Sequence, residues 1–243
     1  MSKKISLKQF LMRSGRFEKV YGGISAIKSG KVTIDGKIVS NPNYFFNPKK
    51  SLVKMDNEKI RKAPYLYFLM NKPASYLSQK AENEKNIYDL LEKLDLPKAH
   101  AKSLSAVGRL DKESEGLLLI TNDGKLSNLI MNPKNKIVKK YYAVLENVAD
   151  INNIKLLEKG VQIEIEHEIY KTKPCKIKVV GEKEIYISIS EGKKRQIRKM
   201  FDAIGNKVAY LRRVSIAGLQ LGKLKSGEIK QTTKDEILEK LEL

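Results

Sequence analysis

Two stretches of the chain carry residue types and spacings that could do chemistry. The first, Val107 to Gly124, reads V-G-R-L-D-K-E-S-E-G-L-L-L-I-T-N-D-G and sets Asp111 between Arg109 and Lys112. Flanking cations favour the charged carboxylate, which suits a nucleophile or general base better than a proton donor. The second, Glu191 to Asn206, reads E-G-K-K-R-Q-I-R-K-M-F-D-A-I-G-N and gathers Lys193, Lys194, Arg195 and Arg198 in one short run. Elsewhere there is little reactive chemistry. His100 and His167 complete no metal-ligand spacing, and one cysteine, Cys175, leaves too few thiols for a structural zinc site. No metal is therefore expected, and no phosphate-binding loop, dinucleotide fingerprint or Ser/Cys-His nucleophile pair is present.

The elements that must position these residues follow from periodicity. Ser103 to Val107 alternates like a half-buried strand. Leu117 to Thr121 reads as a buried strand closed by the turn residues Asn122-Asp123-Gly124. Asp111 therefore falls on a loop between two strands, with Gly108 and Gly116 to let the backbone turn or approach a ligand. Ile197, Met200, Phe201 and Ile204 recur at i, i+3, i+4 and i+7, which predicts a helix stopped by Gly205, with Arg195, Arg198 and Asp202 on another side. Tyr65 to Met70 is a short strand leading into Asn71-Lys72-Pro73. Lys139 to Leu145 is a strand whose Tyr141 and Tyr142 point to opposite faces. Strands are expected at 161–165, 169–180 and 184–190, then strand, bulge and strand over 207–221. A Thr233–Glu236 capping box opens a last helix.

Composition narrows the partner. The chain has 243 residues, 41% of them hydrophobic, and 48 Lys+Arg against 28 Asp+Glu, for a net charge of +20. Such a balance favours a polyanion. Nucleic acid is expected rather than membrane, since no apolar run approaches the ~18 residues of a spanning helix. Met1-Ser2-Lys3-Lys4-Ile5 leads into no apolar segment of signal-peptide length, which points to the cytoplasm. Residues 1 to 62 hold 15 Lys+Arg against 4 Asp+Glu, the mark of a separate basic module. Residues 56 to 64 read as a linker, which divides the chain into 1–62 and 63–243. Within the module, Leu7, Phe10 and Leu11, then Val20, Ile24 and Ile27, have helical spacing. Lys31 to Val39 forms a hairpin about Asp35-Gly36.

The string G-R-L-D-x-x-S-x-G-L-L-L-x-T-N-D-G, residues 108 to 124, resembles the signature of RNA pseudouridine synthases, in particular the RsuA/RluB type that modifies ribosomal RNA. Asn71-Lys72-Pro73 resembles the family's N-K-P-x-G, with Ser75 in place of the glycine. Lys140, Tyr142 and Val144 fit K-x-Y-x-V, and E-G-x-x-x-Q-I-R-x-M-F fits its third motif. I-K-S-G-K-V-T-I-D-G-K-I-V resembles the second half of an S4 RNA-binding domain, although Phe17-Glu18-Lys19 stands where S4 domains usually carry Ser-Arg-Arg.

The resemblance implies an α+β pseudouridine-synthase fold, a long mixed and largely antiparallel sheet with flanking helices and a central cleft. A small α+β S4-like domain would precede it. It implies that Asp111 is the catalytic carboxylate, that Tyr142 stacks on the extruded base, and that Arg198 grips Asp111 with its planar fork. Lys193 and Arg195 would contact phosphates, and Arg109 would fill the space of the flipped nucleotide or bind its phosphate. Lys72 would lie on the loop beside the site, with Leu211 packed beneath it. The implied reaction isomerises uridine: the base leaves C1′, turns over and rejoins through carbon, with no cofactor. The implied partner is RNA, ribosomal RNA or a ribosomal-subunit precursor, with no membrane and a monomeric chain. Two rivals are a catalytically inactive RNA-binding ribosome-assembly factor and a glycosidase-like hydrolase. The first would be expected to lack one of Asp111, Tyr142 and Arg198; the second needs a further carboxylate in a motif, which is missing.

Overall fold

The computed structural model describes residues 4–17, 19–61 and 64–241. The chain divides into two units, Met1–Leu66 with Leu90–Ser105, and Tyr67–Asp89 with Ala106–Leu243. In the first unit run β1 (Ile5–Ser6), α1 (Leu7–Arg13), α2 (Val20–Lys28), β2 (Val32–Ile34), β3 (Lys37–Ile38), β4 (Phe45–Phe46), β5 (Val53–Met55) and β6 (Glu58–Lys59). A reciprocal Ser6–Gln9 capping box starts α1 and satisfies two donors that the helix leaves open. Leu7, Phe10 and Leu11 of that helix, Ile27 of α2 and Val32, Ile34 and Val53 of the sheet form a core. Gly22 and Gly23 weaken α2 as a helix but leave room for Phe17: a Cβ on Gly22 would lie 3.3 Å from its ring.

Part of the expected linker is ordered. Residues 56 to 59 belong to the β5–β6 hairpin, which turns on Asp56 and Asn57 at positive φ, a conformation these two residue types tolerate. Residues 62 and 63, where the sequence divides into 1–62 and 63–243, lie outside the described residues, as does Glu18 of the Phe17-Glu18-Lys19 segment. Leu90–Ser105 groups with the first unit, whereas the sequence division had assigned it to the second.

The chain continues as β7 (Tyr67–Lys72), α3 (Ile87–Leu91), α4 (Lys98–Ser103), β8 (Ser105–Ala106), β9 (Glu115–Thr121), α5 (Gly124–Met131) and β10 (Lys139–Leu145). It ends with α6 (Ile151–Lys159), β11 (Gln162–Ile165), β12 (Glu168–Lys171), β13 (Lys176–Val179), β14 (Glu184–Ile189), α7 (Gln196–Asp202), β15 (Val208–Ile216), β16 (Leu219–Gln220), β17 (Ile229–Gln231) and α8 (Lys234–Leu241). The main sheet has the order β13-β14-β10-β15-β9-β7-β17. The single strand expected over 169–180 is broken. Pro174, which has no N–H for a ladder, separates β12, paired with β11, from β13 in the main sheet. Among the described residues no helix is long and apolar enough to cross a membrane.

One core lies under β10 and β14, where Ala143, Leu145, Ile185 and Ile187 meet Met200 and Phe201 of α7 and the buried Cys175, whose Sγ–H donates to the Leu157 carbonyl. The other joins Leu117 and Leu119 of β9 to Leu126 and Ile130 of α5 and to Ile237 and Leu241 of α8.

Along this path the sheet is antiparallel except where β9 meets β15 in parallel, over only Glu115↔Arg212 and Gly116↔Arg213. Partners across this seam align in one row: Ile187, Tyr141, Arg213, Gly116 and Lys72. Gly116 has φ +115, and a Cβ there would lie 2.3 Å from the Arg213 carbonyl oxygen and 2.6 Å from its nitrogen. Gly116→Ala should therefore cost roughly 3 kcal/mol or more, because rigid backbone and not a side-chain end must move. Gly124→Ala, with no atom within 4 Å of the new Cβ, should be neutral or stabilising. Thermal denaturation of the two variants checks this; equal melting temperatures would show that the seam tolerates a side chain.

Candidate active site

Residues 107–114 leave β8 and return into β9, and the loop is held by its backbone. Ser78 Oγ donates to the Leu110 carbonyl at 2.8 Å and accepts from the Leu110 N–H at 3.0 Å. The Ser75 N–H donates to the Lys112 carbonyl at 2.8 Å. Ser75 itself has φ +68, so the backbone keeps the left-handed geometry that a glycine would adopt most easily at this position. Gly108, at φ +78, lets the loop pass Met131, whose Sδ would lie 2.7 Å from an added Cβ.

Lys72 ends β7 beneath this loop. It is fully buried, and its Nζ donates to the carbonyls of Pro73 (2.8 Å), Tyr76 (2.6 Å) and Lys112 (3.3 Å). Burial lowers its pKa to about 8, against the charges of Asp111, then Glu113 and Glu115, which pull it back up. Lys72 thus ties the loop from below and sets a cation near Asp111.

These backbone contacts leave the Asp111 side chain uncommitted. It lines a cavity of about 920 Å³ and a second of about 80 Å³. No described residue makes a hydrogen bond or ion pair to its carboxylate within the ordinary distances. Arg109 and Lys193 line both cavities, while Arg195 and Leu211 line the smaller. Arg195, at φ +54 ahead of α7, pairs with Glu113 at 2.8 Å. Of the residues singled out from sequence, Asp111, Arg109, Lys193, Arg195 and Leu211 therefore come together, with Lys72 under the loop.

Two placements differ from expectation. Tyr142 is not in the site: its ring lies 5.5 Å from that of Tyr186 and 6.2 Å from that of Tyr210, and it lines neither cavity. Tyr141 lines both. The strand's two-residue alternation is the reason, since Tyr141, Ala143 and Leu145 share the buried face of β10. Lys139-x-Tyr141 satisfies the same K-x-Y spacing one residue earlier. Arg198 also does not grip Asp111: its guanidinium donates to the Val208 carbonyl at 2.6 Å, at the start of β15, and lines neither cavity. Helical spacing put Arg198 on the polar side of α7 but could not say which neighbour it would meet.

Sequence reading also passed over Glu191 and Gln196 as structural parts. The buried Glu191 carboxylate accepts from Tyr170 Oη (2.6 Å), the Lys173 N–H (2.9 Å) and Gln196 Nε2 (2.6 Å). Gln196 Oε1 accepts from the Lys193 N–H at 2.9 Å. The bond from Tyr170 to Glu191 pushes the tyrosine hydroxyl up to about 12. The E-G-x-x-x-Q spacing was the signal: it brings the two side chains into contact across the turn that presents Lys193.

The RNA pseudouridylate synthase family profile matches residues 66–203. The chain is 35% identical to an uncharacterised RNA pseudouridine synthase of Bacillus subtilis over 88% of this chain and 89% of the relative. It is 34% identical to ribosomal small subunit pseudouridine synthase A of Escherichia coli, over 87% and 89%. To ribosomal large subunit pseudouridine synthase B of Bacillus subtilis it is 32% identical, over 87% and 85%. A crystal structure of a pseudouridylate synthase, 30% identical, superposes with a TM-score of 0.68 over 98% of this chain and 99% of that one.

The geometry around Lys72 makes a measurable prediction. Its side-chain NMR resonances should titrate with a midpoint near pH 8 instead of 10.5, and Asp111→Asn should move that midpoint lower by removing the largest charge that favours the ammonium. An unchanged midpoint in the variant would mean the two groups are not electrostatically coupled.

Proposed function

This chain belongs to the RNA pseudouridylate synthase family and is an RNA pseudouridine synthase, and we propose that Asp111 is the carboxylate with which it isomerises uridine. The observation that carries this reading is the state of that side chain: it lines a cavity of about 920 Å³ with no partner among the described residues, while Ser78 and Ser75 clamp the loop by its backbone and its neighbours Lys112 and Glu113 are paired with Glu84 and Arg195. A group meant for structure would be bonded; a group meant for substrate is left available.

The remaining roles follow from the chemistry. The uridine must leave its stack, at a cost of a few kcal/mol, and an aromatic face is the common way to hold an extruded base. Tyr141 takes that part in place of Tyr142. Breaking C1′–N1 and forming C1′–C5 is redox-neutral and imports no group, so positioning and charge are what the protein must supply. Leu211 packs beneath the base, and Arg109, Lys193 and Arg195 line the approach for the RNA backbone. Arg198 acts indirectly, by tying α7 to β15.

The substrate we assign is a uridine of ribosomal RNA in a ribosomal-subunit precursor, modified in the cytoplasm by a monomer. Its support is the similarity to enzymes named for the small and the large ribosomal subunit. The basic first unit, S4-like in its helices and Asp35-Gly36 hairpin, serves as an additional grip on that RNA.

Mapping pseudouridines in ribosomal RNA with and without the chain identifies the target. On that RNA, Asp111→Asn should abolish conversion and leave affinity within about threefold. Tyr141→Ala should lower turnover at least tenfold while Tyr142→Ala retains most of it. Wild-type rates for Asp111→Asn, or the reverse order for the tyrosines, would sink these assignments. Replacing Lys28, Lys31 and Lys37 with Gln should reduce the slope of log affinity against log salt by about two, each phosphate contact contributing about 0.7–0.9. An unaltered slope would remove the first unit from the RNA interface.

A further inference from the structure

Arg213 and Lys139 are cations with no assigned task, and they share one wall of the larger cavity. Arg213 stands directly opposite Tyr141 across the β10–β15 ladder. Lys139 lies two residues before Tyr141 on the same strand, hence on the same face. Arg213 is 2% exposed, and its Nε donates to the Leu117 carbonyl at 2.7 Å. One of its terminal nitrogens, Nη2, is buried without any hydrogen-bond partner. Among the described residues Lys139 Nζ reaches only the Ile137 carbonyl, at 3.2 Å, and neither cation forms an ion pair. Beside Lys139, burial and then the charge of Arg213 both lower its pKa, with no carboxylate acting the other way.

Two neighbouring cations, one fully desolvated and one partly so, with an orphaned guanidinium nitrogen between strands, are costly in the absence of an anion. A structural role for Arg213 would use its remaining donors on carbonyls, as Lys72 does with three. The bonds that are missing here are the ones an oxyanion would complete, since a guanidinium fork matches the geometry of a phosphate and lysine adds a point charge. The ligand can be named by its chemistry: the enzyme's substrate is RNA, and a base held against Tyr141 brings its own backbone phosphate into the same cavity.

We infer that Arg213 and Lys139 form a phosphate subsite that grips the RNA backbone at a linkage next to the target uridine and so fixes the nucleotide over Asp111; this rests on the catalytic reading given above. The site differs from the exposed Lys193 and Arg195 in being built into the sheet. Its contact should thus be specific to one linkage and weakly screened by salt.

The test uses the full chain and the ribosomal RNA hairpin that carries the mapped uridine. A single uncharged methylphosphonate replaces, in turn, the phosphate on the 5′ and on the 3′ side of that uridine. With the wild type, one of the two should lower kcat/KM at least tenfold. Arg213→Gln and Lys139→Gln should lose a similar factor on the unmodified hairpin, with little further loss on the sensitive methylphosphonate. Tolerance of both linkages within twofold by the wild type overturns the subsite, and so does a variant that remains as sensitive as the wild type. If Arg213→Gln does not fold, the Lys139→Gln series together with the wild-type series still decides the matter. Absence of pseudouridine from the unmodified hairpin as well would mark failure of the catalytic reading, and the subsite would fall with it.

Discussion

The site exists because two strands approach so closely at Gly116 that no side chain fits between them. β9 and β15 are joined in parallel by just two register pairs, and this seam unites the half of the sheet built from β13, β14, β10 and β15 with the half built from β9, β7 and β17. The loop bearing Asp111 enters β9 at that seam. Tyr141, Arg213 and Lys72 are its neighbours in one row across the ladder. Residues distant in sequence are thereby held at fixed strand spacings of about 4.8 Å, which is a more rigid frame than loops alone could give.

The cost of that arrangement is electrostatic. Lys72 and Arg213 are almost wholly removed from water, and the field of one opposes the other. Lys72 is stabilised by three carbonyl dipoles and by the charge of Asp111, yet its folded-state pKa of about 8 stays below the 10.5 of the open chain. The folded protein therefore binds this proton less tightly than the unfolded one. The contribution of this group to stability grows as pH rises from about 8 towards 10.5, and it is lost as pH falls through the same window. At neutral pH the charge is kept at some expense to the fold, a pattern found where function requires an ion in a dry place.

Much of this could be read from the chain itself. The R-L-D loop, its two flanking strands, the amphipathic α7 and the Asp35-Gly36 hairpin all follow from periodicity and turn chemistry, which are local. What stayed hidden depended on distant partners. Choosing between Tyr141 and Tyr142 needs the parity of β10, and both parities place apolar residues at alternate positions. The partner of Arg198 depends on where β15 begins, and the special property of Gly116 depends on a strand almost a hundred residues away. The division of the 169–180 stretch is the exception, since Pro174 was visible and its effect on a ladder is local.

The position of Cys175 has a practical corollary. It is the only cysteine of the chain, it sits in the core under β14, and burial pushes its thiol up to about 12. Thiolate, the species that alkylating reagents capture, is therefore scarce while that core is closed. The native sequence thus contains its own reporter of local opening: the rate at which this sulfur is blocked counts how often that layer of the enzyme breathes, without any engineered probe.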